Sequence, residues 1–421
     1  MPQAWTPWGS LAIPFAARLA FPWLDRAPWL GAAALAATVA LLAAVPAKAR
    51  RELLPFAALA WIAAGSSPAF AAAFAAAAWL QALVLRTRAG LAPRLAAVAA
   101  CGAALLGVSL SVGGFPGAAA WQLAALAAVR AVSAAADAGT EGASARELFL
   151  YLCGGLPASF LGAYHGFSVY REAAAAERPK LMGLRDVVAG LAWLVFSAVV
   201  RAAGAGGPGG ADPWALSFSG MWAFSAVSWT AELGMWVGAY RIIEGLSRLS
   251  GCDLPNQFDR PWLSSSPLDF WRRYAAQNRL YLLKYVFFPL SRLGAAPEAG
   301  IAAAFAVSAA LNGLRFSGVF LAAGGGWRAA AAAATTFALF FAAFGAAAIA
   351  ESILRSPPAS GRRIVLRIAA TTAAVIWLWA PLSYWRSPAR ATPRAAASLW
   401  LRIEERLLIP SASPPGGSRS D

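Results

Sequence analysis

Long apolar runs, separated by short polar turns, recur along the chain. A helix needs roughly 20 predominantly apolar residues to cross the hydrocarbon core of a bilayer. The runs that come near this length are 29–47, 67–85, 95–113, 118–134, 187–203, 301–323, 329–350 and 365–382. Their number and length predict a chain that crosses a membrane many times.

Other apolar runs are shorter or are interrupted by proline or glycine, at 11–24, 53–64, 148–164, 214–240 and 281–290. Together, the runs predict an all-α, polytopic transmembrane protein with roughly 10–12 spans, some of them short or re-entrant. Residues 1–385 are expected to form a single multi-pass membrane domain, in which the glycine-rich run 204–210 is a loop. Residues 386–421 are expected to hold an amphipathic piece at 395–408 and a disordered tail.

Composition supports a membrane protein and changes the meaning of the positive charge. Hydrophobic residues make up 60% of the chain and charged residues only 13%, whereas soluble domains carry about 25% charged residues. In a soluble protein the formal net charge of +16 would suggest a nucleic-acid partner. Here the lysines and arginines lie in short loops, as at 48–51 and 86–94, which is the pattern of the positive-inside rule. The sequence therefore predicts a multi-pass protein of the cell membrane that contacts lipids and binds no nucleic acid.

Cysteine and histidine are too few to predict a metal centre. Cys101, Cys153 and Cys252 are widely spaced and odd in number, so they predict neither a disulfide framework nor a zinc knuckle. His165 is the single histidine, which excludes a zinc site with several imidazole ligands. We expect no bound metal and no bound cofactor.

The most polar segment in this apolar chain is 254–274, here called the cassette, with the sequence LPNQFDRPWLSSSPLDFWRRY. Polar and ionisable groups inside a membrane protein are costly unless they pair or line a cavity, so the cassette marks a candidate site. Ser266, Pro267 and Asp269 have the form of a helix start with a capping box. This helix is expected to run to about Phe288, with Pro289 ending it.

The cassette helix carries two stripes at helical spacing. Asp269 precedes Arg272 by three residues and Arg273 by four, and is expected to neutralise one of them. The other stripe is aromatic and polar, and consists of Trp271, Tyr274, Asn278, Tyr281 and Tyr285. Spacing alone is also typical of a helix at the membrane interface, with arginines among headgroups and aromatic rings in the interfacial belt.

The order of these residues resembles the membrane-bound O-acyltransferase (MBOAT) family. Its bacterial members carry a glycine-leucine-arginine segment, then L-P-x-N-F-x-x-P-Y, then S-x-x-D-F-W-R-R-W-H, then Y-V-x-x-P-L. The similar segments here are GLSRLSG (245–251), LPNQFDRPWL (254–263), SPLDFWRRY (266–274) and YVFFPL (285–290). With a weaker similarity at 155–162 and a further one at 311–318, the resemblance covers about 148–326. The motif residues that it implies are Asn256, Pro261, Asp269, Trp271, Arg272, Arg273, Tyr274, Asn312, Arg315 and Phe316.

The resemblance implies a helical scaffold with a tunnel, in which an acyl thioester donor meets a hydroxyl of a cell-envelope glycan or lipid. The family's proposed base is the histidine of a G-L-W-H-G element, which takes the proton of the acceptor as it attacks the thioester. Here the corresponding pair is Arg315 and Phe316, and the position after Tyr274, where the family has histidine or asparagine, holds Ala275. Phenylalanine moves no proton and arginine stays protonated, so the usual base is missing.

Three functions remain open from the sequence. The first is a degenerate family member that binds or routes a lipid, a glycan or an unknown protein partner without acyl transfer. The second is an active O-acyltransferase whose base is relocated to His165 or Glu232. Either residue can equally be structural, Glu232 for example by pairing with Arg241. Asn312 can orient a hydroxyl, and Arg315 can bind a carboxylate or a phosphate. The third is an unrelated transporter or flippase.

Overall fold

The computed structural model describes residues 66–87, 90–154, 165–175, 180–205, 218–322, 326–354 and 362–385, with scattered positions between 37 and 63. Within these residues the chain is helical and contains no strand. The prediction of an all-α fold is confirmed. The amphipathic piece and tail predicted after residue 385, the run 11–24 and the segment 155–162 lie outside the described residues.

Helices follow the apolar runs along the chain. Those before residue 206 are α1 (Pro68–Arg86), α2 (Leu91–Val112), α3 (Gly114–Glu141), α4 (Ala145–Gly154), α5 (Phe167–Ala175) and α6 (Lys180–Ala205). Those after it are α7 (Phe218–Leu249), α8 (Pro267–Tyr274), α9 (Ala276–Leu282), α10 (Phe288–Arg292), α11 (Pro297–Ala322), α12 (Gly326–Leu354) and α13 (Arg362–Trp385). A π-helical turn (Leu283–Phe287) connects α9 to α10.

Five stretches of the described helices are long and apolar enough to cross a membrane. They are Pro68–Arg86, Leu91–Val112, Leu181–Val200, Pro297–Val319 and Ala330–Leu354. Each corresponds to a run that the sequence predicts as a span, which supports a multi-pass membrane protein. The helices α3 and α7 are 28 and 32 residues long, and each carries a buried arginine, Arg130 on α3 and Arg248 on α7, around which one of the two polar regions described below is built.

The antiparallel helices α6 and α7 pack with direct backbone contact. A Cβ atom on Gly190 would lie 2.6 Å from the carbonyl oxygen of Gly238, and one on Gly183 would lie 2.8 Å from that of Gly245. One heptad further along α6, Ser197 Oγ donates to a carbonyl oxygen of α7 over 2.6 Å. Small residues at every seventh position let the two backbones approach this closely, as they do in many membrane helix pairs. The close approach brings the carboxylate of Asp186 on α6 within reach of Arg241 and Arg248 on α7.

The continuous helix predicted over 267–288 is wrong, because the structure breaks it at Ala275. This residue has φ −136° and ψ 50°, outside the helical region. The next two amides take partners outside the helix: Ala276 N–H donates to Gln257 O over 3.0 Å, and Gln277 N–H donates to Gln257 Oε1 over 3.1 Å. The loop before α8 thus supplies the acceptors that helical carbonyls would otherwise provide, so α9 starts as a separate helix.

The second helix boundary was also placed wrongly, since Pro289 does not end the segment. It lies in the first turn of α10, which continues to Arg292. Proline is tolerated there because the first-turn amides of a helix need no partner within that helix. An uninterrupted α-helix would need a hydrogen bond from an N–H group at position 289, which proline lacks. The π-helical turn lies directly before α10, where this hydrogen bond would form.

Candidate functional site

The start of α8 is built largely as the sequence predicts. Ser266 Oγ accepts a hydrogen bond from Asp269 N–H over 3.1 Å, and Pro267 occupies the first turn. Asp269 Oδ2 accepts from Ser265 N–H over 3.2 Å, one residue earlier than in a standard capping box. The polar residues at this point therefore satisfy the free amides of a helix end.

Asp269 contacts both cassette arginines, whereas the sequence predicted that it would neutralise one. Its Oδ1 accepts from Arg272 Nη2 over 2.6 Å and from Arg273 Nε over 3.0 Å. Burial raises the pKa of Asp269, but the hydrogen bond from Ser265 N–H and those from the two guanidinium groups outweigh it and hold that pKa below its usual value. One carboxylate thus serves two guanidinium groups, which leaves an excess of positive charge on this helix.

A second ionic network, here called the clamp (Asp186, Glu244, Arg248, Asp253 and Asn256), fastens the cassette to α6 and α7. Arg248 Nε donates to Asp253 Oδ1 over 2.8 Å, and its Nη2 donates to Asn256 Oδ1 over 2.6 Å. Arg248 Nη1 donates to Asp186 Oδ2. The motif residue Asn256 is therefore a ligand of a buried arginine, which explains its place in the cassette without reference to catalysis.

Gln257 extends this anchoring into the centre of the cassette. Its N–H donates to Glu244 Oε1 over 2.6 Å, while its carbonyl and side-chain oxygens accept from the first amides of α9. The motif residue Pro261 is buried at the start of a 3-10 turn, Pro261–Leu263. Arg260 before it has φ 48°, a region that non-glycine residues seldom occupy. The hydrogen bonds of Gln257 before Pro261, and those at the start of α8 after it, hold the loop in this uncommon conformation.

Trp271 and Tyr274 face an aromatic core. Tyr274 stacks on Phe270 with ring centroids 5.0 Å apart. The Trp271 ring has four further neighbours at centroid distances between 5.2 and 6.1 Å, namely Phe305, Phe340, Phe341 and Phe344. Trp271 therefore packs α8 against α11 and α12, while Tyr274 packs on Phe270 within α8.

Phe316, at the position where the resemblance places the base, belongs to the same apolar core. It is 7% exposed, and its ring stacks on Phe337 with centroids 4.5 Å apart and 16° between the planes. The buried Arg315 guanidinium lies 5.1 Å from the centroid of the Phe316 ring. Asn312 Nδ2 donates to Ser308 O, one turn earlier, over 2.9 Å. The Asn312 amide is thus engaged within its own helix, and an aromatic stack occupies the position of the family histidine.

His165 lies in a separate polar group, here called the His165 cluster (Arg130, Ser133, Tyr151 and His165). The imidazole is 1% exposed, and its Nε2 lies 3.3 Å from Arg130 Nη2. A guanidinium group only donates, so Nε2 accepts and the ring proton lies on Nδ1. Burial and the charge of Arg130 lower the pKa of His165 well below its usual value. The histidine is therefore neutral, and its free lone pair is engaged by Arg130.

Further hydrogen bonds hold this cluster together. Tyr151 Oη donates to His165 O over 2.7 Å and lies 2.7 Å from Ser133 Oγ. Arg130 Nη2 donates to Tyr151 O over 2.5 Å, and the Arg130 Cζ atom lies 4.5 Å from the centroid of the Tyr151 ring. Arg130 and Tyr151 were not predicted as site residues from the sequence. Arg130 could have been found from the sequence, because it is an ionisable residue inside the apolar run 118–134. The same criterion singled out Glu232.

Asp137, one heptad after Arg130 on α3, links the neighbourhood of His165 to the end of the cassette helix segment. Its Oδ2 accepts from Ser168 N–H over 3.1 Å, from Lys284 Nζ over 3.0 Å and from Tyr285 Oη over 2.6 Å. Lys284 and Tyr285 are consecutive residues of the π-helical turn, and both reach one carboxylate. A Cβ atom on Gly166 would lie 2.5 Å from Tyr285 Oη. Glycine at this position therefore leaves the space that Tyr285 occupies when it donates to Asp137.

Glu232, the other proposed base, is buried on α7. The suggested pairing with Arg241 is wrong, because Arg241 Nη1 lies 3.2 Å from Asp186 Oδ1 and 3.7 Å from Glu244 Oε2. The close packing of α6 on α7 decides this choice, since it presents Asp186 directly to the arginine. Among the described residues, no group of three or more histidine, cysteine or acidic side chains has an arrangement that fits a metal ion.

Comparison of the chain with models of known protein families and with curated protein sequences finds no match. Membership of the MBOAT family therefore stays a prediction that rests on the cassette and the segments around it.

Proposed function

We propose that this multi-pass membrane protein has an MBOAT-like architecture and binds a lipid or a glycan of the cell envelope without transferring an acyl group to it. The supporting observation is the environment of Phe316. An acyl transfer to a hydroxyl needs a base within hydrogen-bond reach of the acceptor. At the position that the resemblance assigns to this base, the chain has a buried phenylalanine stacked on Phe337.

The environment of His165 supports the same proposal. A general base must have a free lone pair and a pKa near the working pH. The Nε2 atom of His165 faces Arg130 at 3.3 Å, and the adjacent positive charge disfavours protonation of the ring. Accepting a proton would place two cations side by side in a buried site. His165 thus serves better as a neutral partner of Arg130 than as a base.

An acyl-transfer assay on the full chain tests this proposal. The protein is reconstituted in lipid nanodiscs with a labelled acyl thioester and cell-envelope lipids or glycans as acceptors, and labelled product is measured. We expect no product above that of empty nanodiscs. Wild-type turnover that is lost in a folded His165→Gln or Glu232→Gln variant would show an active enzyme with a relocated base and overturn the proposal.

The variant Phe316→His supplies a matched positive arm. It places histidine at the position of the family base. Phe337→His is its control, because it replaces the other phenylalanine of the stack by the same side chain. Transfer by Phe316→His and not by Phe337→His would support an acyltransferase-like site that lacks only its base. Binding itself is measured by mass spectrometry of the lipids and glycans that stay bound during purification.

A further inference from the structure

One carboxyl group of the clamp, that of Glu244, is buried with a single hydrogen bond. The residue lies on α7 after the apolar run 214–240 and is 3% exposed. Its Oε1 atom accepts from Gln257 N–H over 2.6 Å, whereas its buried Oε2 atom accepts no hydrogen bond from any residue that the structure describes. A buried carboxylate stays ionised when several donors face it, and otherwise the neutral acid is favoured. The surroundings of Glu244 therefore favour a proton on this group.

The two arginines beside Glu244 are engaged with other acceptors. Arg241 Nη1 lies 3.2 Å from Asp186 Oδ1 and 3.7 Å from Glu244 Oε2, so only the first of these contacts is a hydrogen bond. All three nitrogen atoms of the Arg248 guanidinium group donate elsewhere, to Asp186, Asp253, Leu254 O and Asn256. Both arginines thus attract Glu244 through their charge but donate no hydrogen bond to it.

The charges that act on Glu244 come from its own helix and from α6. Burial raises its pKa to about 7, although the backbone hydrogen bond from the cassette and the charges of Arg241 and Arg248 lower it. Asp186 of α6 adds a smaller increase. Within the described part of α13, which also packs on α7, the one buried polar side chain is that of Thr371, which does not titrate. Both protonation states of Glu244 are therefore populated near neutral pH.

The hydrogen bond of Glu244 is the first in a series that fixes the start of α9. Its partner Gln257 accepts from Ala276 N–H with the carbonyl oxygen and from Gln277 N–H with the side-chain oxygen. Gln277 in turn donates through Nε2 to Pro255 O. An ionised carboxylate accepts a hydrogen bond from an amide more strongly than a neutral acid does. The protonation state of Glu244 thus changes how strongly the loop of the cassette is held.

We propose that Glu244 binds and releases a proton in the folded protein near neutral pH, and that the bound proton loosens the hold of the clamp on the cassette. The proton comes from solvent and removes the charge that attracts Gln257 N–H and Arg241, so that Arg241 pairs with Asp186 alone. Its release reverses both changes. The inference does not depend on the proposed function, because it involves neither the Phe316 position nor a bound lipid or glycan.

Infrared spectroscopy detects the proton through the carbonyl stretching band of a protonated carboxyl group. The full chain, in a detergent without ester or carboxyl groups, is titrated with acid. We expect wild type to show a band that falls to half its amplitude at about pH 7 and that is missing in Glu244→Gln. Glu351→Gln is the matched control and should keep the band, because Glu351 also accepts from a cassette amide, Leu268 N–H, but in an exposed contact. Identical spectra of wild type and Glu244→Gln would overturn the proposal.

A second variant, Arg241→Gln, tests the same proton without changing Glu244. The Arg241 side chain is 28% exposed, and the loss of its charge should raise the pH at which the band reaches half its amplitude. Arg185→Gln removes an exposed charge from α6 and should leave this pH unchanged. No change in Arg241→Gln, or an equal shift in Arg185→Gln, would overturn the assignment of the proton to Glu244, and this holds even if Glu244→Gln does not fold.

Hydrogen exchange tests the effect on the cassette. Exchange of the peptide that contains Gln257 is measured at about pH 6 and about pH 8, on either side of the pKa of Glu244, and is corrected for the intrinsic pH dependence of exchange. In wild type we expect the Gln257 amide to open roughly tenfold more often at the lower pH, because its hydrogen bond is then no longer assisted by charge. Glu244→Gln should open equally at both. Equal opening in wild type would overturn the proposal that the proton loosens the cassette.

Discussion

The clamp and the His165 cluster each bury an arginine, but they stabilise it with different partners. Arg248 is held by the carboxylates of Asp186 and Asp253. Arg130 contacts the carbonyl oxygen and ring of Tyr151 and the imidazole of His165. Burial raises the pKa of Glu244 in the clamp to about 7, whereas burial and the charge of Arg130 lower the pKa of His165. As the pH falls below about 7, the folded state is therefore expected to gain stability from Glu244 and to lose stability from His165.

The two regions also differ in what they hold in place. The clamp connects α6, α7 and the loop that leads to α8, so it fixes the path of the cassette. The His165 cluster joins α3 and α4 to His165, two residues before the start of α5, and Asp137 continues this connection to the π-helical turn. Arg248, Arg272 and Arg273 in and beside the cassette thus have carboxylate partners, and the only histidine of the sequence lies in the other region.

The largest expected effect comes from breaking the clamp. Arg248→Met removes the guanidinium group that Asp186 and Asp253 share, so the half-buried Asp253 loses its ion pair with Arg248 while Asp186 keeps its ion pair with Arg241. We expect the free energy of unfolding to fall by about 3–5 kcal/mol. The measurement is thermal unfolding of the detergent-purified protein. Arg185→Met is the control, because Arg185 is exposed on α6, and it should change stability by less than about 0.5 kcal/mol. Equal unfolding temperatures for the two variants would contradict a structural role of Arg248.

A smaller effect is expected from removing one hydroxyl group in the His165 cluster. Tyr151→Phe keeps the ring against Arg130 but loses the hydrogen bond to His165 O and the contact with Ser133. We expect a loss of about 1–2 kcal/mol in the free energy of unfolding, because a buried carbonyl oxygen is left without its donor. Tyr281→Phe serves as the comparison, since Tyr281 Oη is also buried and donates to a backbone carbonyl oxygen, that of Val129, over 2.8 Å. A larger loss in Tyr281→Phe would show that the cluster is less important than its burial suggests.

The smallest effect is the one that separates the two regions by pH. The pKa of His165 is lowered in the folded state, while an unfolded imidazole titrates near 6.5. Below about pH 6.5 the unfolded state binds a proton that the folded state does not, so stability decreases as the pH falls. His165 is expected to contribute a loss of about 1 kcal/mol between pH 6.5 and 5.5, while Glu244, whose pKa is raised to about 7, contributes a gain over the same range. As the pH falls across this range, the unfolding temperature of wild type should therefore decrease relative to that of His165→Gln. Identical slopes in wild type and His165→Gln would show that His165 is protonated in the folded protein.

Much of the helical architecture could be predicted from the sequence, because membrane spans are apolar over their full length. The run 67–85 corresponds to α1, and 301–323 corresponds to α11 with a shift of a few residues. The start of α8 at Pro267 was predicted because capping is a local interaction of neighbouring residues. The break at Ala275 was not predicted, because Gln257, which supplies the acceptors, lies 18 residues earlier in the chain.

The sites were predicted less completely for the same reason. Which residue stands at a given position of a motif can be read from the sequence, as with Phe316 and Ala275. The partner of a buried charge cannot be read in this way. Arg241 was one of the alternatives left open for Glu232 on the same helix, whereas the structure pairs it with Asp186 of another. Arg130 and His165 are 35 residues apart and were not connected by any spacing rule.

The sequence by itself determined an all-α membrane protein, the position of the polar cassette, and the absence of histidine where the MBOAT resemblance expects one. These follow from composition, run length and neighbouring residues. Only the tertiary structure decided that Asn256 holds Arg248, that Phe316 stacks on Phe337, and that His165 is a buried partner of Arg130. Such assignments depend on which helices approach each other. The approach of α6 to α7, for example, depends on small residues such as Gly190 and Gly238, which carry no side chain to indicate their partner.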